Sequence, residues 1–182
     1  MRGRSRGGTG TTAFATLAGL ALALGACGYR PLDGRGAFGP DVHTIELESF
    51  ENESREPGLD EHLSDAMTEE FARRAWLEPV VDDQVANPDL VMTGLVRSAT
   101  VRSDTYSSGG LALEERIEIR LDVTVKRRET GELVYQHPDF RAREVFLSSA
   151  DPMVYASNKE QALRRVASAI AEQIHDELFQ RF

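Results

Sequence analysis

The chain has 182 residues, with 21 Lys and Arg against 30 Asp and Glu, a formal net charge of −9, and one cysteine. That acidic balance argues against a nucleic-acid binder, which needs basic surface to neutralise phosphates, and a lone cysteine rules out an internal disulfide framework. Without staples the fold must rest on its core, and a chain of this length can bury one.

The first segment reads as a leader. Arg2, Arg4 and Arg6 give a basic start, and residues 13 to 26 are almost all Ala, Leu, Gly and Thr. The apolar run is about half of the ~20 residues that cross a bilayer as a helix, so a cleaved secretory signal fits better than a retained span. Leu24-Gly25-Ala26-Cys27 resembles a bacterial lipobox, in which the thiol receives diacylglycerol, the chain is cut before the cysteine, and the new amine is acylated. The other reading is an ordinary signal with a chance cysteine, but an unpaired cysteine in an exported protein then lacks a reason. Several acyl chains anchor firmly where one alone is marginal. These lipids on Cys27 are the only non-protein groups expected. Gly28 stands where an aspartate would resemble an inner-membrane retention signal, which points to the outer membrane.

Three domains follow: a signal over residues 1–26, lipidated Cys27 with a Gly- and Pro-rich flexible tether over 27–41, and a single sandwich domain over 42–182. The chain after the signal has 18 Lys and Arg against 30 Asp and Glu, a net charge of −12.

In residues 42 to 50, Ile45 and Leu47 alternate with Thr44, Glu46 and Glu48, the pattern of a half-buried strand. "ENESREPG" breaks it. From Leu59 to Ala75, Leu59, Leu63, Ala66, Met67 and Phe71 share one helical face, with acidic residues early and Arg73 and Arg74 late, which suits the helix dipole. "LEPVVDD" is a short edge strand or the lead into the next one, residues 89 to 103. "DTYSSGG" is a loop.

Residues 113 to 128 alternate most clearly: Ile117, Ile119, Leu121, Val123 and Val125 on one side, Glu118, Arg120, Asp122, Thr124 and Lys126 on the other. "RETGE" turns the chain back into residues 133 to 146, where Pro138 demands a bulge or an edge. "SSADPMVYASN" is a loop, with Ser157 or Asn158 capping a helix over 159 to 181. The expected fold is α+β: a two-layer sandwich of a mostly antiparallel four-stranded sheet with both helices on one face, leaving a polar face open or covered by a partner.

Chemistry is sparse. His43, His62, His137 and His175 have no second ligand at metal spacing, and no nucleophile elbow or phosphate-binding glycine loop is present. Glu69-Glu70 and Glu114-Glu115 read as solvated faces, and Trp76 as a core plug. The expectation is no enzyme, no metal and no catalytic residue.

The scarce cations draw attention instead. Lys126, Arg127 and Arg128 lead into the turn, and Arg141 and Arg143 alternate on the returning strand. They either balance Glu118, Asp122 and Glu132 across strands or form a phosphate-binding patch. Arg97 and Arg102, at odd spacing, are expected on opposite faces.

"CGYRPL", "IELESFENESREPGLDEHLSDAMTEEF", "NPDLVMTGLV", "RIEIRLDVTVKRRETGELVY" and "EQALRRVASAIAEQI" together resemble the lipopolysaccharide-assembly lipoproteins, the LptE-like partners of the barrel that inserts lipopolysaccharide. Pro88 stands where that family often has Ala. The resemblance implies an outer-membrane, lipid-anchored protein that assists assembly of the lipopolysaccharide transport barrel, plugs its lumen and contacts lipopolysaccharide. Charge alone, not the family motif, nominates Lys126, Arg128, Arg141 and Arg143 for its phosphates. The alternative is an adaptor or pilotin-like lipoprotein of another outer-membrane machine.

Overall fold

Alternate side chains from Ile117 to Val125 are fully buried, as their period predicts, and the rest of the molecule assembles around them. The computed structural model describes residues 38–39, 41–74, 76–80 and 87–180. In chain order the elements are β1 (Thr44–Leu47), β2 (Glu51–Asn52), α1 (Leu59–Arg74), β3 (Glu78–Val80), β4 (Leu90–Tyr106), β5 (Ala112–Arg127), β6 (Leu133–Leu147) and α2 (Pro152–Gln180). The sheet order is β3-β1-β4-β5-β6, with β2 also beside β4.

The fold is α+β, but the sheet is six-stranded and mixed rather than four-stranded and mostly antiparallel. β4, β5 and β6 form an antiparallel meander. β1 runs parallel to both β3 and β4, and β2 runs parallel to β4. The chain goes from β1 through α1 to β3 and returns past β1 to β4. Such a crossover makes parallel neighbours, and periodicity cannot reveal it because each strand's alternation is the same in either direction.

β1 and β2 are two pieces of one line along β4. The segment expected to break the strand pairs again at Glu51–Asn52. Between the pieces Phe50 leaves the sheet plane, and its N–H donates to Ser64 Oγ of α1 (3.1 Å). Its ring lies over Gly94, where a Cβ would fall inside the ring's contact distance. Gly94 faces Val123 on the buried side of the sheet, so the missing side chain makes the seat for Phe50.

Two bulges keep the buried face continuous. In β6, Tyr135 and Phe140 have opposite parity, yet both are buried. The irregularity lies opposite Asp122, at Pro138–Asp139, where Asp139 takes φ 56° and its N–H donates to Asp122 Oδ1 (2.9 Å). Pro138 thus sits at a bulge on an edge strand, as expected. In β4 the irregularity at Arg97 resets parity, so Met92 and Val96 before it and Ala99 and Val101 after it all meet the core. The same shift corrects the expectation for Arg97 and Arg102. Arg97 pairs with Asp122, and Arg102 lies opposite Arg116, all on the polar side.

Both helices cover the buried face. Leu63, Met67 and Phe71 of α1 and Leu163, Val166, Ile170, Ile174 and Leu178 of α2 join one cluster with the sheet. α2 starts at Pro152, seven residues before the expected start at 159. Asp151 is the cap, accepting from Met153 N (2.8 Å), with proline at the first helical position where no N–H is needed. Asn158 is not the cap: its side chain donates to Leu147 O (2.9 Å).

Gly94→Ala should lower stability by about 1–3 kcal/mol, the usual cost of overpacking a filled core. Urea unfolding of Gly94→Ala, Phe50→Leu and the double variant checks this. The double variant should be more stable than the sum of the singles, and strict additivity would show that the ring is not what occupies the space.

Candidate functional site

Because both helices lie on one side, the opposite face of β4–β5–β6 is covered by no described element. Its rows follow from the register. Ser98, Arg120 and Arg141 form one row, Thr100, Glu118 and Arg143 the next, and Arg102, Arg116 and Val145 the one beyond. Strand twist and a 4.7–4.9 Å spacing place these side chains within reach of each other.

The charges on this face are mostly paired. Arg143 Nε donates to Glu118 Oε2 (3.1 Å). Arg141 Nε donates to Asp139 Oδ2 (3.0 Å), and Arg120 reaches the other oxygen of that carboxylate. Arg97 bridges Asp122 (2.8 Å) and Glu53 (3.1 Å), and Arg116 pairs with Asp104. Hydrogen bonds from Arg141 and Arg120 hold the Asp139 carboxyl below its usual range. For Asp122 the Asp139 N–H has the largest effect, and it and Arg97 outweigh burial.

Of the four nominated cations, Arg128 pairs with Glu46 (3.0 Å), and Arg141 and Arg143 are paired as above. Lys126 alone of the four has no carboxylate partner among the described residues. The structure brings Arg141 and Arg143 together at adjacent outward positions of β6. Lys126 shares the face but lies near the β5–β6 turn, opposite Leu133, and so stands apart from them. Cross-strand balancing of Glu118 by Arg143, Asp122 by Arg97, and Glu132 by Arg127 (3.2 Å) is what the geometry displays. Cys27 lies outside the described residues.

Three polar positions have roles that spacing did not disclose. Asp89 Oδ2 accepts from His43 N, Thr44 N and Thr44 Oγ1 at 2.8 to 2.9 Å. It clasps the start of β1 to β4, and these three donors overcome burial to hold its carboxyl below the usual range. Glu70, read from sequence as part of a solvated pair, is buried. Burial raises its pKa, but hydrogen bonds from Arg73 and Arg74 prevail and hold it down. Arg74 also reaches Asp176 of α2 (2.8 Å), tying the helices. Finally, Glu177 Oε2 accepts from Tyr135 Oη (3.1 Å) and lies 2.9 Å from His137 Nδ1, tying α2 to β6.

At the end of α2 lies an aromatic cluster. Trp76 packs on Phe179 (4.6 Å between ring centroids) and on His175 (5.3 Å), so it does plug the core. Phe38, within the segment read as tether, meets Phe179 edge-on at 5.5 Å, and its carbonyl accepts from Arg127 (2.6 Å). His175 is fully buried, and neither ring nitrogen has a hydrogen-bond partner. The carboxylate of Asp176 is 3.9 Å from Nδ1, beyond hydrogen-bond length. Burial, reinforced by Arg74, pushes the His175 pKa down to about 4 against the opposing pull of Glu70 and Asp176. The ring is therefore a neutral packing element.

Among the described residues, no three His, Cys, Asp or Glu side chains gather as a metal site, and no helix is long and apolar enough to cross a membrane. What the arrangement offers is a broad, wet, ion-paired sheet surface backed by a dry helical layer.

A family model described as lipopolysaccharide-assembly, LptE, matches residues 42–178. Among solved structures, a protein from Caulobacter crescentus CB15 described as a lipoprotein aligns at TM-score 0.52 and 14% identity, covering 72% of this chain and 88% of that one. Rare lipoprotein B from Shewanella oneidensis aligns at TM-score 0.52 and 14% identity, covering 75% and 95%. At such identities these two likenesses show a shared fold. No curated protein matches the sequence.

Since unfolded histidine titrates near 6.5 and His175 near 4, the unfolded chain binds the extra proton between those values. Stability should therefore fall as pH drops through that window, by about 2 kcal/mol from pH 7 to pH 5. His175→Leu removes two unpartnered nitrogens, so it should leave stability at pH 7 unchanged or raised and flatten this dependence. Chemical denaturation of both proteins at pH 7, 6 and 5 checks it. Parallel curves would show that His175 does not carry the effect.

Proposed function

The chain belongs to the lipopolysaccharide-assembly (LptE) family, and from that premise we propose that it is an outer-membrane lipoprotein that assists assembly of the lipopolysaccharide transport barrel and plugs its lumen. The observation that carries the plug is the open polar face of β4–β5–β6. Barrel interiors are polar and wet. A sheet with a mostly ion-paired outer surface can stand in such a lumen with few charges left unpaired, whereas an apolar outer face could not remain exposed there. The family match supports the choice of partner.

Anchoring falls to Cys27. Diacylglycerol on its sulfur and an acyl chain on its amine hold the chain in the membrane, and no other group is required. The role is one of assembly and binding rather than catalysis.

Contact with lipopolysaccharide phosphates at Lys126, Arg128, Arg141 and Arg143 fits a face where carboxylates already hold the guanidiniums in place. A phosphate would meet Lys126 directly. At Arg141 and Arg143 it would have to displace Asp139 and Glu118, and in such exposed pairs water already competes for both charges. Displacement is therefore cheap.

Tagged protein isolated from membranes in mild detergent should carry the lipopolysaccharide transport barrel, identified by mass spectrometry. Recovery of a secretin or another barrel in its place would overturn the function. Cys27→Ala should move the protein from the membrane to the soluble fraction and abolish incorporation of labelled palmitate. Arg141→Glu with Arg143→Glu should weaken lipopolysaccharide capture several-fold while the melting temperature changes little. Undiminished capture by the folded variant would remove these two residues from the contact.

A further inference from the structure

β4 runs for 17 residues, but its outer side is paired only along the first half. β1 lines Leu90–Met92 and β2 lines Leu95–Val96, and that line ends where Glu53 N donates to Val96 O (3.0 Å). From Ser98 to Ser103, β4 has β5 on one side and no described strand on the other. The register says which backbone groups this leaves open. Ser148 N donates to Leu113 O, so odd positions of β5 face β6 and even positions face β4. Arg120, Glu118 and Arg116 therefore bond Ser98, Thr100 and Arg102, and the N–H and C=O of Ala99, Val101 and Ser103 point to the vacant side. At about 3.3 Å per residue, the vacant stretch is roughly 20 Å long.

The other long edge is defended. β6 carries a bulge at Pro138, which has no N–H, and side chains of α2 occupy its outer carbonyls: Arg165 donates to Val145 O (3.4 Å) and Asn158 to Leu147 O (2.9 Å). Between Ser98 and Ser103 there is no proline, and no described residue outside the sheet ladder hydrogen-bonds the open backbone groups. The filled half of the line shows what fits the empty half. There β2 brings Glu53, whose carboxylate sits on Arg97 of β4 (3.1 Å). The next arginine of β4 is Arg102, on the same polar side. It is exposed, lies opposite Arg116, and has no carboxylate partner among the described residues, because Asp104 is held by Arg116. Like charges directly opposite each other destabilise a sheet. On the other side of the strand, Ala99 and Val101 pack against the core but stay partly exposed.

We propose that the open side of β4 from Ser98 to Ser103 takes an extended segment of another protein that alternates apolar residues with carboxylates. Backbone pairing at Ala99, Val101 and Ser103 supplies the grip, a carboxylate on Arg102 sets the register, and apolar side chains cover Ala99 and Val101. The segment continues the line of β2 and repeats at Arg102 what Glu53 does at Arg97. This edge is independent of the barrel reading, and the failure of either leaves the other standing.

The test is amide hydrogen exchange at single-residue resolution on the full chain in mild detergent. In the protein alone, Ala99, Val101 and Ser103 should exchange about tenfold or more faster than Thr100 and Arg102. Equal protection of all five would show that the edge is already paired and would overturn the proposal. The probe is a capped seven-residue peptide alternating valine with glutamate, titrated to millimolar concentration. It should slow the three open amides about tenfold or more, and the same peptide with every amide N-methylated should not. Arg102→Glu should weaken binding of the glutamate peptide about fivefold or more and admit its lysine analogue, because an attraction becomes a repulsion. Arg102→Lys should keep most of the binding. The altered side chain is exposed, and unchanged thermal melts verify folding. No slowing at millimolar peptide, or binding that Arg102→Glu leaves undiminished, would overturn the proposal. Protection that grows with protein concentration alone, with a dimer mass in sedimentation, would assign the edge to a second copy and overturn it as well.

Discussion

The structure depends on keeping one face of β5 dry. β5 is hydrogen-bonded on both sides, to β4 and to β6, so its alternation is imposed on both neighbours. Every second side chain from Ile117 to Val125 must find cover, and α1 and α2 supply it. A neighbour whose own pattern slips by one residue would present polar groups to this core. The bulges at Arg97 and at Pro138–Asp139 absorb those slips. Each also serves the polar side: Arg97 gains Asp122 and Glu53, and Asp139 gains Arg120 and Arg141. The corrections that keep the core continuous thus also build the lattice of charges behind it.

That lattice is not a source of much stability. Its members are exposed, water competes for each pair, and salt screens them. Its consequence is compatibility with a wet, confined surface. Charge is present at high density, yet little of it is left without a partner to repel or to capture ions indiscriminately. A molecule with a net charge of −9 still presents a nearly balanced sheet face, because much of its acidic excess lies on the helices and loops.

The two poles differ in kind. One is closed by rings: Phe38, Trp76, His175 and Phe179 pack together, and Arg127 fixes the backbone of Phe38. A neutral His175 within it adds bulk without charge. The other pole ends in Leu, Val and Met side chains open to solvent.

The sequence by itself determined the alternation of β5, both amphipathic helices, the β5–β6 turn and the demand of Pro138 for a bulge on an edge. Each is a local property, written in the spacing of neighbouring residues. Even the missed start of α2 was locally legible, since Asp151-Pro152 is a cap followed by the residue suited to the first helical position. Only the tertiary structure decided that β1, β2 and β3 join the sheet in parallel, that Arg97 resets parity, that Glu70 is buried, and that Asp89 clasps β1. It also decided that three of the four nominated cations already hold carboxylates and that apolar side chains stay exposed where β4, β5 and β6 end and α2 begins. These depend on which strands become neighbours, and neighbours distant in sequence leave no trace in periodicity. The same alternation serves a parallel or an antiparallel partner, and a charge looks free until the residue across the sheet is known.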